Sequence, residues 1–373
     1  MTRTRQTIPY RDATWEFPMT LGAVLIVAAV AWVVVFAVFL LLDIDVQQGA
    51  AAGYWQASES IGLSFNPRYL PVYPALIGVL HDLLPSLTPA LLMQLISLVG
   101  WLLSCICVYL ILETAFVELT WQGALFYALF PFVGVFEVVY PRADGVAAFL
   151  LTLGLLAYLH KRRILTVIAF AVGLLTHQAL WLFIPLILLA GITRQQKRLT
   201  LFEGLISAVP LVVYLMYGVF RTRDALWFVQ ASTNLGEAAP GTLIVFDGLA
   251  GLITRGDVTG WLTFAGLVIV IALALLLVLS GSWRGKPWLL ALIVPVLVFA
   301  VVLNRDSIWT LGRYSVFLVL PLWVYLDEAF VWQIGPLKLR PVLPILLALA
   351  FASQLVTAYA VSTGSAPLLF TGS

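Results

Sequence analysis

Ten apolar runs, near residues 18–42, 90–112, 120–138, 143–159, 164–191, 200–220, 261–281, 287–303, 311–328 and 341–361, take up most of the chain. In hydrocarbon no water is present to bond a backbone N–H or C=O, so each run is expected to satisfy its own amides as a helix. Charge is too scarce to cover a water-facing surface: 10% of the 373 residues are charged and 62% are hydrophobic. The expected fold is an all-α polytopic membrane protein with one membrane-embedded domain over 1–373, because no polar stretch is long enough for a soluble domain. The polar segment 1–17, with Arg3, Arg5 and Arg11, reads as a cytoplasmic tail. The run behind it is long enough to span and has no small-residue cleavage site, so it is expected to stay as a signal anchor. A net charge of +2 gives no basic balance of the kind that binds nucleic acid. Cys105 and Cys107 point different ways on a helix and read as buried apolar residues rather than a disulfide.

The run 164–191 sets the topology. As one helix its 28 residues would extend roughly 42 Å at about 1.5 Å per residue, against a hydrocarbon core of about 30 Å. Basic clusters flank it, HKRR at 160–163 and RQQKR at 194–198, and the positive-inside rule asks for both in the cytoplasm. The run is therefore expected to be a hairpin of two short helices turning near Thr176–His177. Arg3, Arg5, Arg11, Lys161, Arg162, Arg163, Arg194, Lys197, Arg198, Arg284, Lys286, Lys338 and Arg340 then lie inside, 13 of the 20 basic residues; a single pass would leave 11 against 9. About ten to eleven transmembrane helices follow, with the N-terminus cytoplasmic.

The same topology gathers Asp43, Asp45, Glu59, Asp82, Glu137, Asp144, Asp224, Glu237, Asp247, Asp257 and Asp306 on the outer side, with Arg68, Arg142, His177, Arg305 and Arg313. Segments 43–89 and 221–260 are the two large outer loops. The stretch RYLPVYPALIGVLHDLLP in the first is too short to span easily and is punctuated by Pro71 and Pro74, so a short interfacial helix is expected there.

Each candidate has two readings. Asp43 and Asp45 close the first span: a polar stop, or carboxylates that accept a hydroxyl proton or hold a divalent cation beside a phosphate. Arg142 and Asp144, in EVVYPRADG, form a tight turn with an ion pair, or meet an anionic headgroup. His177 is a hydrogen-bonded core residue, or a donor to a phosphate or sugar oxygen. Arg313 sits just inside an apolar boundary, where a cation is costly and marks a site by default; the other reading is an ion pair with Asp306. His81 and His160 read as structural. No Walker loop, HExxH motif, zinc spacing or Rossmann fingerprint is present.

The acids after the first span, Gly53-Tyr54, Leu70-Pro71-Val72-Tyr73-Pro74, Tyr140-Pro141-Arg142-Ala143-Asp144, Thr176-His177-Gln178-Ala179-Leu180 and Arg313-Tyr314 together give the chain its likeness. It resembles the polytopic glycosyltransferases of the GT-C class, and among them the phosphatidylinositol-glycan class V type of mannosyltransferase, over about residues 18–325. It departs from that pattern at Leu42-Asp43 in place of Trp-Asp, at Pro-Arg-Ala-Asp in place of Ser-Glu-Ser, and at His177 in place of a turn Arg. The resemblance implies transfer of a hexose, mannose being the expected one, from a polyprenyl-phosphate donor to the hydroxyl of a lipid or glycan acceptor. It implies Asp43 or Asp45 as base, Arg142, His177 and Arg313 on the donor phosphate, and Tyr54, Arg68, Tyr73, Asp144, Arg305 and Tyr314 around the substrates. Basic side chains neutralise the leaving phosphate, so no cofactor is obligatory, and the D-x-D pair leaves room for a divalent cation. The competing expectation is a lipid or glycan transporter or flippase, which calls for ionisable residues at the midplane and two symmetric halves; the sequence displays neither.

Overall fold

The computed structural model describes residues 19–41, 50–59, 69–115, 117, 119–130, 142–192, 197–225, 227, 258–281, 283–302, 314–326, 332–334, 337–339 and 345. In chain order these form α1 (Met19–Leu41), α2 (Ala50–Glu59), α3 (Val72–Leu83), α4 (Pro89–Thr114), α5 (Thr120–Ala128), α6 (Asp144–Leu159), α7 (Arg163–Leu174), α8 (Leu180–Ile192), α9 (Lys197–Thr222), α10 (Val258–Ser280), α11 (Trp288–Val302), a 3-10 turn (Ser315–Leu318) running into α12 (Val319–Tyr325), and strands β1 (Trp332–Ile334) and β2 (Leu337–Leu339). Among the described residues, three helices, over Thr20–Leu41, Pro89–Thr114 and Thr200–Thr222, are long and apolar enough to cross a membrane. Nearly all of the run 341–361 lies outside the described residues.

Two expectations meet the structure directly. The run 164–191 breaks into α7 and α8. Thr176 and His177 both donate backbone N–H to the Gly173 carbonyl (2.9 and 3.2 Å), and Leu180 donates to His177 (3.1 Å). Trp181 Nε1 donates to the Leu174 carbonyl at 2.7 Å, taking up an acceptor that the end of α7 leaves open. The all-α expectation holds for the described body, and one short ribbon joins it: β1 and β2 pair antiparallel, with Gln333 opposite Lys338. Gly335 and Pro336 separate them in sequence, and both residues disfavour helix.

α4 is the hub. Thr88 caps it, its Oγ1 accepting from the Leu91 N–H at 3.4 Å, with Pro89 in the first turn where no amide partner is lost. Two glycines let α6 lie directly on it. A Cβ on Gly145 would run into the Ser97 carbonyl oxygen, and one on Gly100 would stand 2.8 Å from the Gly145 carbonyl carbon. Small residues at a helix contact are how apolar helices approach when hydrocarbon offers no hydrophobic drive. Deeper along α4, Trp101 stacks on Tyr127 at 4.8 Å and donates Nε1–H to the Ala128 carbonyl, while Tyr127 Oη donates to Ser104 Oγ at 3.2 Å. Cys105 and Cys107 are buried free thiols.

Two bonds orient the bundle. Thr20, at the start of α1, meets Tyr109 Oη near the end of α4 at 3.3 Å, so α1 runs antiparallel to α4. Thr114, at the end of α4, meets His160 just past α6 at 3.0 Å, so α4 and α6 run the same way. Leu41, Pro89, Asp144 and Leu174 therefore lie towards one end. Thr20, Thr114, Leu159 and Arg163 lie towards the other.

Candidate functional site

At the first of these ends, side chains from α2, α3, α4, α6, the α7–α8 turn and the start of the 3-10 turn converge. Tyr73, fully buried, shares a hydrogen bond with Ser97 Oγ at 3.3 Å and lies 3.4 Å from the Met93 carbonyl. Ser97 donates to the backbone carbonyl of Arg142 at 2.7 Å. This relay ties the start of α6 to α4 and α3, beside the Gly145 contact. Arg142 is 6% exposed. Two residues on, Asp144 opens α6, where unpaired amides and the helix dipole favour a carboxylate.

His177 faces Asp144 across the site, with Nε2 3.7 Å from Oδ1 and side-chain exposures of 16% and 10%. That distance exceeds a hydrogen bond but leaves the two in direct electrostatic contact. The tautomer follows from the turn. His177 Nδ1 accepts the Ala179 N–H at 3.1 Å, so it carries no proton. The imidazole proton therefore sits on Nε2 and points at the carboxylate. A backbone hydrogen bond from Val72 N–H to the Leu175 carbonyl (3.2 Å) joins the turn to the start of α3.

Aromatic rings wall the cluster. Tyr54 meets Tyr73 edge-on at 4.9 Å and Tyr69 at 4.5 Å. Gly53 makes the second contact sterically possible, since any Cβ there would collide with the Tyr69 ring. Tyr214 Oη donates to the Tyr69 carbonyl at 3.3 Å. On the far side Tyr314 lies 6.1 Å from His177 and packs on Phe299 at 4.6 Å. Burial pushes the Tyr54 hydroxyl well above the ordinary tyrosine range; the Asp144 charge adds to this, and Arg142 opposes it. Burial likewise raises Tyr73, against the hydrogen bond it shares with Ser97. Both phenols thus serve as neutral hydrogen-bonding groups.

Of the residues singled out in the sequence, Tyr54, Tyr73, Arg142, Asp144, His177 and Tyr314 meet here. Asp43, Asp45, Arg68, Arg305 and Arg313 lie outside the described residues. Leu41 and Ala50, the described residues either side of the aspartate pair, end α1 at this end of the bundle and begin the helix that carries Tyr54. Ser97, Tyr69 and Phe299 complete the cluster and were not picked out in the sequence. Ser97 lies one helical turn from Gly100 in an apolar run, where a serine bonds equally well to its own helix; Tyr69 and Phe299 look like any other aromatic. Among the described residues, no group of three or more His, Cys, Asp or Glu side chains is placed to hold a metal ion.

The chemistry on offer is a buried carboxylate, a neutral imidazole N–H, a buried guanidinium and neutral phenols on one membrane-facing body. No protein-family model matches the chain, and no curated protein matches it.

Proposed function

We propose that the chain is a multi-pass membrane glycosyltransferase. It moves a hexose, with mannose as the expected sugar, from a polyprenyl-phosphate donor to an acceptor hydroxyl on the extracytoplasmic face. In this reading it crosses the membrane about eleven times with its N-terminus in the cytoplasm. The observation that carries the proposal is the meeting of Arg142, Asp144 and His177, from two separate segments, beside Tyr54 and Tyr73. Charged groups gathered at one end of a bundle suit chemistry at a membrane surface. A transport path would instead need them near the midplane.

The reaction is one inverting displacement. The acceptor oxygen attacks the anomeric carbon, its bond forming as the bond from that carbon to the phosphate oxygen breaks. The acceptor proton passes to a carboxylate, Asp43 or Asp45. The electron pair of the broken bond leaves on the lipid phosphate. Arg142, the His177 Nε2–H and Arg313 stabilise that developing charge, as donors fixed in advance in a dry site do. The Ala179 amide keeps the His177 proton on Nε2, Asp144 stands beside it, and Tyr54, Tyr73 and Tyr314 shape the sugar pocket with Arg68 and Arg305.

The test is transfer of label from radiolabelled polyprenyl-phosphate mannose in membranes with matched levels of wild type, Asp43→Asn, Asp45→Asn and Asp144→Asn. Transfer by wild type with a loss of at least about 100-fold in one of the first two variants supports the reading. Absence of transfer from any lipid-linked hexose by wild type refutes it and favours the transporter.

A further inference from the structure

The segment 69–72, which leads into α3, is held from two sides. Val72 donates its N–H to the Leu175 carbonyl, in the turn that carries His177. From the other side Tyr214, on α9, donates its hydroxyl to the Tyr69 carbonyl at 3.3 Å, across 145 residues of chain. Around Tyr214 the helix is uncovered: Val212, Val213 and Met216 are all exposed. A helix spends its own carbonyls on its own amides, so the Tyr214 hydroxyl finds its acceptor off the helix, on the segment that enters the site. Tyr69 then lays its ring on Tyr54 at 4.5 Å, where Gly53 leaves room for it, and Tyr54 meets Tyr73 at 4.9 Å.

Tyr214 is itself braced. Arg223, just past α9, adopts the left-handed region (φ 58°), a conformation costly for a residue with a Cβ, and the chain folds back on the helix. Trp227, 5% exposed, meets Tyr214 edge-on at 5.9 Å and donates Nε1–H to the Leu215 carbonyl at 3.2 Å. Gly218 makes room for the indole, since a Cβ there would overlap its ring.

We infer that Tyr214, braced by Trp227, is a positioning residue of the site: through the Tyr69 carbonyl it fixes where Tyr54 stands. The inference rests on the proposed function and extends it to two residues behind the cluster. Tyr54 stands close enough to Asp144 and Arg142 to feel both charges, so its placement decides how a sugar hydroxyl is met in the pocket. Tyr214 bonds to a backbone oxygen. Its loss therefore removes no side chain from the cluster and releases only the segment behind Tyr54. The expected signature is weaker substrate binding with the chemical step intact. The same contacts couple the start of the outer loop 221–260 to the pocket.

The test uses purified full-length protein in detergent with a fluorotyrosine at position 54, read by fluorine NMR, alongside label transfer from polyprenyl-phosphate mannose. Tyr214→Phe removes one hydroxyl. It should shift the resonance at position 54 and raise KM for the donor about 5-fold, the weight of one hydrogen bond, with kcat and the unfolding midpoint little changed. Trp227→Leu should act in the same direction. Val213→Ala, exposed beside Tyr214, should leave both readouts at their wild-type values. An unmoved resonance in Tyr214→Phe would overturn the inference. So would a shifted resonance with an unchanged KM, or with a parallel fall of kcat and midpoint. Tyr214→Phe decides this even if Trp227→Leu fails to assemble. The spectrum needs no turnover: a wild type that transfers no hexose sinks the enzyme reading, while the resonance still reports whether Tyr214 holds Tyr54 in place.

Discussion

The two ends of the bundle use similar residues to different ends. At one, Lys161, Arg162 and Arg163 are exposed; Arg163 meets Glu203 at 3.5 Å, His160 meets Thr114, and Lys286 Nζ donates to the Ala115 carbonyl at 2.7 Å. At the other, Arg142, Asp144 and His177 are withdrawn from solvent and fixed by the relay from Tyr73 and by the Ala179 amide. Exposed cations such as Lys161 and Arg162 contribute little and tolerate loss, while Glu203 beside Arg163 is itself buried. Withdrawn charges are costly to hold and keep their strength once held. The difference teaches that burial, more than residue type, separates a solvated basic face from an enclosed polar cluster.

Breaking the α4–α6 contact should have the largest effect. Gly145→Val puts a side chain against the Ser97 carbonyl and should destabilise by about 3 kcal/mol or more, at or beyond the top of the usual range for overpacking; the midpoint of detergent-induced unfolding measures it. Next, Asp144→Asn should lower transfer about 100-fold with little change in that midpoint, whereas a parallel fall in both would make Asp144 structural. Ser97→Ala removes a buried link to the Arg142 backbone and should cost about 1–3 kcal/mol, read in the same unfolding experiment.

A smaller, pH-dependent effect is expected from the site end. Tyr54 and Tyr73 hold their protons more tightly in the folded chain than in the unfolded one. Their contribution is complete below about pH 10, the ordinary tyrosine value. Above it the unfolded chain releases protons that the folded chain keeps, so stability falls as pH rises. Tyr54→Phe should flatten that alkaline decline. Smallest of all, Arg162→Ala, an exposed cation at the opposite end, should change stability by no more than about 1 kcal/mol and transfer by less than about 2-fold. A loss there as large as that of Asp144→Asn would erase the distinction between the ends.

Much of the frame was legible in the chain. The broken run 164–191 could be read because a length limit and two basic clusters left one consistent solution, and the turn falls where they required. The apolar run 90–112 anticipated α4, and the short segment punctuated by Pro71 and Pro74 anticipated α3. The β1–β2 ribbon was not legible, since six residues are too few to show a period. The Asp144–His177 meeting was expected only as a shared face. Its distance, and the Nδ1 acceptor that sets the imidazole proton, depend on the turn's own backbone. Ser97 went unread because a serine in an apolar run bonds equally well to its own helix.

What the sequence determined by itself is the membrane-type composition, the helical runs and the residue types available for chemistry, because hydrocarbon penalises every unsatisfied amide and stray charge within the segment that carries it. Which of those residues become neighbours was decided by tertiary structure. Gly100 and Gly145 bring two backbones together, and that close approach carries Tyr73, Ser97, Arg142, Asp144 and His177 into one place; a contact between helices depends on packing geometry, which no single run encodes.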